Sequence, residues 1–232
     1  MKLAVISDIH GNIYALMKAL EDIDEQKVDK IICLGDLVGY GPHPNEVVAL
    51  IKRREIPCIK GNYDASVVDG DYTYIRNTAI NSFALPWASN EVRVSNKYFL
   101  DSLPTSLKYT FNEVNFLFTH GSPNAINDYL FEDAANTIEV MNQLEDDVLV
   151  CAHTHIPCAK KYGNKLLINV GSVGKPKIGK PNPTYAIIEI EDNGEVKVTF
   201  RYLEYEFKRI VKDCTMLNFP PAITSSYETG KE

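Results

Sequence analysis

The sequence lacks three features that would place it in a large class of proteins. It has no apolar run long enough to cross a bilayer, so a membrane protein is not expected. Only 24 lysines and arginines stand against 31 aspartates and glutamates, and the net charge of −7 disfavours binding to long nucleic acid. Its five cysteines are an odd number without CxxC spacing, which indicates reduced, buried thiols. Asp8 follows the start too closely for a signal peptide, so we expect a cytoplasmic protein.

What the sequence does have is enough apolar residues, 45% of 232, to bury a sizeable core. In the first third of the chain, short apolar runs predict buried strands at 2–7, 31–34 and 56–60. Apolar residues at helical spacing over 13–23 and 47–51 predict helices between these strands, the first with Asn12 as its N-cap. This β-α-β-α-β order predicts parallel strands joined by right-handed crossovers.

The pattern changes after this first third. Residues 66–104 are polar and helical in pattern, and alternation with period two over 107–118 predicts a hairpin that turns at Asn112 and Glu113. A further helix is expected over 134–144. Four more apolar segments predict strands that start near 148, 165, 184 and 195.

These elements together predict the fold class and the extent of the domain. We expect an α/β sandwich of two sheets with flanking helices. It would form one domain over 1–219, with the helical segment 66–104 as an insertion. The remaining residues, 220–232, are rich in small and polar side chains and are expected to form a loose tail.

Seven candidate metal ligands follow predicted strands at five places in the sequence. They are Asp8 and His10, Asp36, Asn62, His120, and His153 and His155. Loops at the carboxyl edge of an open α/β sheet can converge, and residues two apart in extended chain point the same way. Each piece alone has an ordinary interpretation as a turn or cap. Four of the five histidines in the chain nevertheless fall in this set, which favours a shared site.

The donor atoms of this set indicate which metals would bind. Two carboxylates, one amide oxygen and four imidazoles form a mixed oxygen and nitrogen shell without thiolate. Such a shell suits Mn, Fe, Zn, Ni or Co better than Ca or Cu(I). Seven ligands are too many for one tetrahedral zinc, and they fit two divalent ions that share one carboxylate.

Five short segments carry a resemblance to a known family: DIHGN, GDLVGYGP, GNYD, THG and AHTH. In this order they resemble the calcineurin-like metallophosphoesterases, and GDLVGYGPHPNEV and the chain length are similar to the small bacterial and archaeal phosphodiesterase branch. The resemblance implies a two-sheet α/β sandwich and a dinuclear site with a metal-bound hydroxide as nucleophile. It implies that Asp8, His10 and His155 hold one metal, that Asn62, His120 and His153 hold the other, and that Asp36 bridges them.

One departure from the family pattern concerns catalysis. The family usually has GNHD where this chain has GNYD. In the family, this histidine lies near the leaving group and is held by the aspartate that follows it. Tyr63 replaces the histidine here, so Asp64 has lost its usual partner. With Asp36 and Asn62, these two residues make up the candidate catalytic set. An unperturbed tyrosine has a pKa near 10 and a histidine one near 6.5, so Tyr63 would be a poorer proton donor. Alternatively, Tyr63 only packs beside the site.

The substrate is less well defined by the sequence. Lys175 and Lys177 lie in a Gly/Pro-rich loop near the expected site and could bind outer phosphates, although an ordinary surface loop would look the same. His43 is a further candidate phosphate contact, and the aromatic candidates for stacking a base are Tyr40, Tyr72, Tyr74 and Trp87.

We expect hydrolysis of phosphodiester or pyrophosphate bonds in a small phosphoester, for which a nucleotide is favoured. The alternatives are a phosphomonoesterase or phosphoprotein phosphatase of the same fold, and a weakly active, protein-binding scaffold.

Overall fold

The computed structural model of the chain describes residues 1–231, which contain nine strands and eight helices. The strands are β1 (Lys2–Ile6), β2 (Lys30–Cys33), β3 (Ser106–Phe111), β4 (Val114–Thr119), β5 (Val148–Cys151), β6 (Cys158–Tyr162), β7 (Lys165–Asn169), β8 (Thr184–Ile190) and β9 (Val196–Tyr202). The helices are α1 (Ile13–Gln26), α2 (Pro44–Arg53), α3 (Asn62–Asp69), α4 (Ala79–Glu91), α5 (Val94–Asp101), α6 (Ala135–Gln143), α7 (Phe207–Met216) and α8 (Pro221–Thr229). Among these helices, none is long and apolar enough to span a bilayer.

The strands form two mixed sheets that pack face to face. The first has the order β2-β1-β8-β9, and the second has the order β3-β4-β5-β7-β6. Strand β1 is parallel to β2, and β5 is parallel to both β4 and β7. Side chains alternate along each strand, so Leu3 and Val5 enter the core between the sheets while Ala4 and Ile6 face helices. The predicted α/β sandwich of two sheets with flanking helices is confirmed.

The helices cover the outer faces of both sheets because each buries one apolar stripe. Helices α1 and α2 pack on the first sheet, and α6 packs on the second. Helix α1 begins where predicted, since the Asn12 side chain accepts a hydrogen bond from the backbone N–H of Ala15 at 3.1 Å.

The predicted hairpin is β3-β4. Its turn residues Asn112 and Glu113 have φ of 47° and 63°, which match a tight turn with both residues left-handed.

Two strand predictions differ from the structure. The segment 56–60 makes only one isolated bridge, between Cys58 and Cys33, because it pairs with β2 through two hydrogen bonds and then turns away. The backbone N–H of Lys60 donates to Pro104 instead of continuing the ladder. Strand β6 was not predicted. It is a charged edge strand, paired on one side only with β7, and it lacks the apolar run that marks a buried strand.

The prediction of a loose tail over 220–232 is wrong for most of that segment. Residues 221–229 form α8, which packs against α7. Ile223 and Tyr227 lie on the same side of this helix, four residues apart, and are 0% and 2% exposed. Both side chains belong to an apolar cluster with residues of α4 and α7, and this burial holds the helix in place although the segment is otherwise small and polar.

Candidate metal centre

The seven candidate ligands converge at one edge of the sandwich. Asp8 and His10 follow β1, Asp36 follows β2, His120 follows β4, and the remaining two histidines follow β5. Asn62 is the first residue of α3. All seven are at most 5% exposed. The structure thus brings together the loops after β1, β2, β4 and β5, as expected, and the N-terminus of α3 joins them with Asn62.

The ligand atoms fall into two groups. The first consists of Asp8, His10 and His155, and the second of Asp36, His120 and His153, with all ligand atoms of a group within 4.8 Å of one another. In the first group, His155 Nε2 lies 3.3 Å from Asp8 Oδ1 and 3.2 Å from His10 Nε2. These two buried His/Asp triads are consistent with a dinuclear metal site.

Asp36 lies between the two triads. Its Oδ2 is 3.4 Å from His120 Nε2 in its own triad and 3.6 Å from His10 Nε2 in the other. Its second oxygen, Oδ1, accepts a hydrogen bond from the backbone N–H of Tyr63 at 2.8 Å, which fixes the carboxylate in this orientation. The Asn62 amide completes the second group, with Oδ1 2.8 Å from His120 Nε2.

Backbone carbonyls orient the histidine rings. The Nδ1 atoms of His10, His120 and His155 lie 3.0, 2.7 and 2.5 Å from the carbonyls of Val38, Leu34 and Lys175. A carbonyl can only accept, so each of these Nδ1 atoms carries the proton and directs Nε2 into the site. Burial lowers the pKa of His10 to about 3, and burial also lowers the pKa of His153 and His155. The rings of His10, His153 and His155 are thus neutral, as metal ligands must be.

Several polar atoms in the site are without hydrogen-bond partners among the described residues. They are Asp8 Oδ1, Asp36 Oδ2 and His153 Nε2. Buried polar atoms normally find a partner, and a carboxylate oxygen or ring nitrogen buried without one is costly. Burial lowers the pKa of His120, but Asp36 and Asp8 outweigh this effect and raise that pKa to about 10. The site therefore has an excess of negative charge, and the donor set fits divalent cations.

The ligand loops have an unusual backbone. Asp8, His10, Asp36, His153 and His155 all have positive φ, between 48° and 64°. Such φ values are uncommon for residues with a Cβ, cost of order 1–3 kcal/mol each, and cluster at functional sites. Neighbouring loops hold them, since the N–H groups of Asp8 and His10 donate to the carbonyls of Gly35 and Asp36 at 3.0 and 2.9 Å.

Tyr63 and Asp64 are buried beside the ligands but are bonded to protein groups. The Tyr63 hydroxyl donates to Asn81 Oδ1 at 2.7 Å and is also hydrogen-bonded to the Tyr40 hydroxyl. Burial raises the pKa of Tyr63 well above its usual value. The Asp64 carboxylate accepts from the backbone N–H groups of Leu37, Val38 and Gly61, at 2.9, 3.2 and 3.0 Å. Asp64 thus joins the Asp36 loop to the start of α3.

The three candidate substrate contacts are found in three different environments. Lys177 lines a cavity of about 160 Å³ that opens over Asn62, His153 and His155. Lys175 is buried, with its ammonium 4.6 Å from the centre of the Tyr40 ring. His43 does not line this cavity, and its Nε2 pairs instead with Asp213 of α7 at 2.9 Å.

Other residues of the cavity wall were missed by sequence reasoning. Tyr40 and Tyr74 line it as anticipated, whereas Trp87 packs against Phe219 in a helical core. The residues that were not anticipated are Thr73, Ile75, Arg76, Asn81, Asn127 and Tyr129. Arg76 lies in the loop between α3 and α4, inside the segment 66–104 that was expected to be helical, and Asn127 and Tyr129 lie in the loop after β4. No pattern in the sequence marks these three side chains as site residues.

Comparison with known proteins explains this arrangement. The model of the calcineurin-like phosphoesterase superfamily domain matches residues 1–193. The chain belongs to this superfamily. It is 34% identical over 224 residues to a protein of Methanocaldococcus jannaschii named Uncharacterized protein MJ0912, a match that covers 89% of each chain. It is 27% identical over 209 residues to Phosphodiesterase YfcE of Escherichia coli K12, a match that covers 83% of this chain and 94% of that one.

A solved metallophosphoesterase structure has the same architecture over almost its full length. The crystal structure of a metallophosphoesterase from Sphaerobacter thermophilus superposes with a TM-score of 0.83 and 26% identity, and the match covers 99% of each chain. The predicted family and fold are thereby confirmed. The superfamily match, the similarity to a phosphodiesterase and the two triads together identify the chain as a metal-dependent phosphoesterase.

Proposed function

We propose that this phosphoesterase hydrolyses phosphodiester or pyrophosphate bonds in a small molecule, with a nucleotide as the favoured class, and uses two divalent cations. The observation that carries the proposal is the Asp36 carboxylate, which lies 3.4 and 3.6 Å from histidine nitrogens of the two triads. A carboxylate in this position can serve two cations at once. The cavity over Asn62, His153 and His155 gives a phosphate access to the same edge.

The cations would be held by residues of both groups. Asp8, His10 and His155 would hold the first, Asn62, His120 and His153 would hold the second, and Asp36 would contact both. The oxygen and nitrogen donors favour Mn, Fe, Zn, Ni or Co. Bound there, the cations would act as Lewis acids on the phosphoryl group and on the attacking water.

The protein's own contribution is to hold the donors before substrate arrives. The carbonyls of Val38, Leu34 and Lys175 keep three imidazoles in the ligating tautomer. Asn62 Nδ2 donates to the carbonyl of Tyr74 at 3.3 Å, which directs Oδ1 toward His120. We assign Asp64 a positioning role, because its carboxylate ties the loop that carries Asp36 to the helix that carries Asn62.

The geometry of Tyr63 bears on the leaving group. Its hydroxyl donates to Asn81, so it is not directed at a substrate oxygen. A phosphate or nucleotide leaves as a stable anion, whereas an alkoxide needs a proton while the bond breaks. Without a proton donor at this position, pyrophosphate bonds and aryl diesters should react faster than alkyl monoesters. The similarity to a protein named as a phosphodiesterase also supports diesters over monoesters as substrates.

Substrate preference tests this proposal. We expect the enzyme loaded with Mn, Ni, Co or Zn to hydrolyse bis(4-nitrophenyl) phosphate and dinucleoside polyphosphates at least about 10²-fold faster than glycerol phosphate, because general acid catalysis typically contributes about 10²–10⁴-fold. The Tyr63→His variant should raise the glycerol phosphate rate selectively and keep the same metal content.

Tyr63→Phe is the matched control, because it keeps the ring and removes only the hydroxyl. It should leave the ratio of aryl diester to monoester rates unchanged. Wild-type rates on glycerol phosphate that equal those on the diesters would indicate a phosphomonoesterase. Two bound metals without turnover of any ester would indicate a scaffold.

A further inference from the structure

The cavity beside the triads contains two cationic side chains that the metal site does not use. Arg76 and Lys177 line it together with Asn62, His153 and His155, which are candidate ligands, and with four tyrosines, Tyr40, Tyr63, Tyr74 and Tyr129. The chain as a whole carries a net charge of −7, so two cations at the mouth of one cavity are a local exception. They would attract an anion to the edge where the ligand loops meet.

Arg76 is held by contacts on its backbone and on its side chain. Its carbonyl accepts a hydrogen bond from Asn81 Nδ2 at 2.8 Å, and Asn81 in turn accepts from the Tyr63 hydroxyl at 2.7 Å. Its guanidinium carbon lies 5.4 Å from the centre of the Tyr129 ring, within the range of a cation–π contact. An arginine placed in this way can present two N–H groups to one phosphate.

A series of ring contacts joins Arg76 to the metal centre. The Tyr129 ring centre is 4.2 Å from that of His153, a member of the second triad. Lys177 is joined to the first triad, because its backbone N–H donates to the carbonyl of His155 at 3.3 Å. Two separate segments thus bring cationic side chains to this cavity, one between α3 and α4 and the other the loop after β7.

The size of the cavity restricts what can enter. At about 160 Å³ it is smaller than the clefts of about 300–1,000 Å³ that bury drug-sized ligands. It has room for phosphate groups, and a nucleoside would extend beyond its rim. A monoester has a single phosphate, which the metals would hold. A substrate with a second phosphate next to the first would reach both the metals and Arg76.

Resting on the proposed function, we propose that Arg76 and Lys177 form a second phosphate subsite, which makes pyrophosphate-linked small molecules the substrate class of this enzyme. The phosphate that is hydrolysed lies at the two triads, and its neighbour lies between the guanidinium and the ammonium. Tyr63 and Asn81 are positioning residues for Arg76. A role of this kind accounts for the hydrogen bond that the Tyr63 hydroxyl donates to Asn81.

Arg76→Gln and Lys177→Gln test the subsite by comparing two substrates. The ratio of kcat/KM for a dinucleoside polyphosphate to that for bis(4-nitrophenyl) phosphate should fall about 10- to 100-fold in each variant, mostly through KM, since a hydrogen bond to a charged group typically contributes that much affinity. Arg93→Gln is the matched control. Arg93 is exposed at the start of α5, does not line the cavity, and should leave the ratio unchanged.

A binding measurement tests the subsite without relying on turnover. Calorimetric titration with methylenediphosphonate, which is not hydrolysed, should show a Kd about 10- to 100-fold higher in Arg76→Gln than in wild type, whereas methylphosphonate should bind both equally. Equal losses for both substrates, or unchanged methylenediphosphonate binding, would overturn the subsite. If the wild type hydrolysed neither ester, the proposed function would fail, and the titration would still decide on the subsite.

Discussion

Replacing Asp36 with asparagine should lower kcat/KM for bis(4-nitrophenyl) phosphate by about 10³-fold or more. The reason is that Asp36 Oδ2 lies between His10 and His120, so the substitution removes the one carboxylate that we assign to both cations. Two cations typically supply several kcal/mol of transition-state stabilisation, and each 1.4 kcal/mol corresponds to a factor of ten. Elemental analysis of the variant should show fewer than two metals per chain.

Asp69→Asn is the matched control for this experiment. Asp69 is an exposed carboxylate at the end of α3, so the same chemical change there should leave turnover and metal content as in wild type. His10→Ala provides a second comparison, because it should weaken mainly the first site. Two tightly held metals and normal turnover in Asp36→Asn would show that the shared position of Asp36 is wrong.

A second large effect is expected at Gly61, where two ligand loops approach each other closely. A Cβ at this position would lie 2.1 Å from Asp36 Oδ1 and 2.2 Å from the Asp36 backbone nitrogen. The backbone cannot yield cheaply, because Asp64 ties the N–H of Gly61 to the loop that contains Leu37 and Val38. Overpacking typically costs 1–3 kcal/mol, so we expect Gly61→Ala to lower the free energy of unfolding by about 3 kcal/mol. Displacement of Asp36 should also reduce the metal content.

Gly70→Ala distinguishes steric contact from backbone strain. Gly70 follows the same helix and has φ of +66°, but a Cβ there would meet nothing within 4 Å. Its substitution should lower the free energy of unfolding by only about 1–2 kcal/mol, because a residue with a Cβ is disfavoured in the left-handed conformation. The metal content should be unchanged. Chemical denaturation and elemental analysis of both variants measure the two effects. If Gly61→Ala were no less stable than Gly70→Ala and held two metals, the close approach would be contradicted.

Much of the fold could be predicted from the sequence because local pattern and tertiary environment agree there. The buried strands β1 and β2 are short apolar runs, and α1 has both an apolar stripe and a capping asparagine. Strand β6 and helix α8 could not be predicted in this way. The edge strand has charged residues that face solvent, and α8 owes its place to the packing of Ile223 and Tyr227 against other helices.

The candidate site likewise contains residues that could be predicted from the sequence and residues that could not. Six of the seven metal ligands could be predicted because they follow strands that themselves have a clear pattern, and strand ends meet at one edge. Asn62 follows the apolar segment 56–60, which makes only one bridge to the sheet. Arg76 and Tyr129 had no such signal, since their positions depend on how two irregular loops fold over that edge. His43 is the opposite case. It lies in a motif segment, but its side chain turns toward Asp213 of α7, a partner 170 residues away that the sequence does not indicate.

The central claim is that two cations bind, one at each triad, and share Asp36, and anomalous X-ray diffraction tests it most directly. Crystals of the protein loaded with Mn should give two anomalous peaks about 3.5–4 Å apart, the usual separation in two-metal sites. One peak should contact Asp8, His10 and His155, the other Asn62, His120 and His153, and Asp36 should contact both. A single peak, or two peaks of which only one contacts Asp36, would contradict the account.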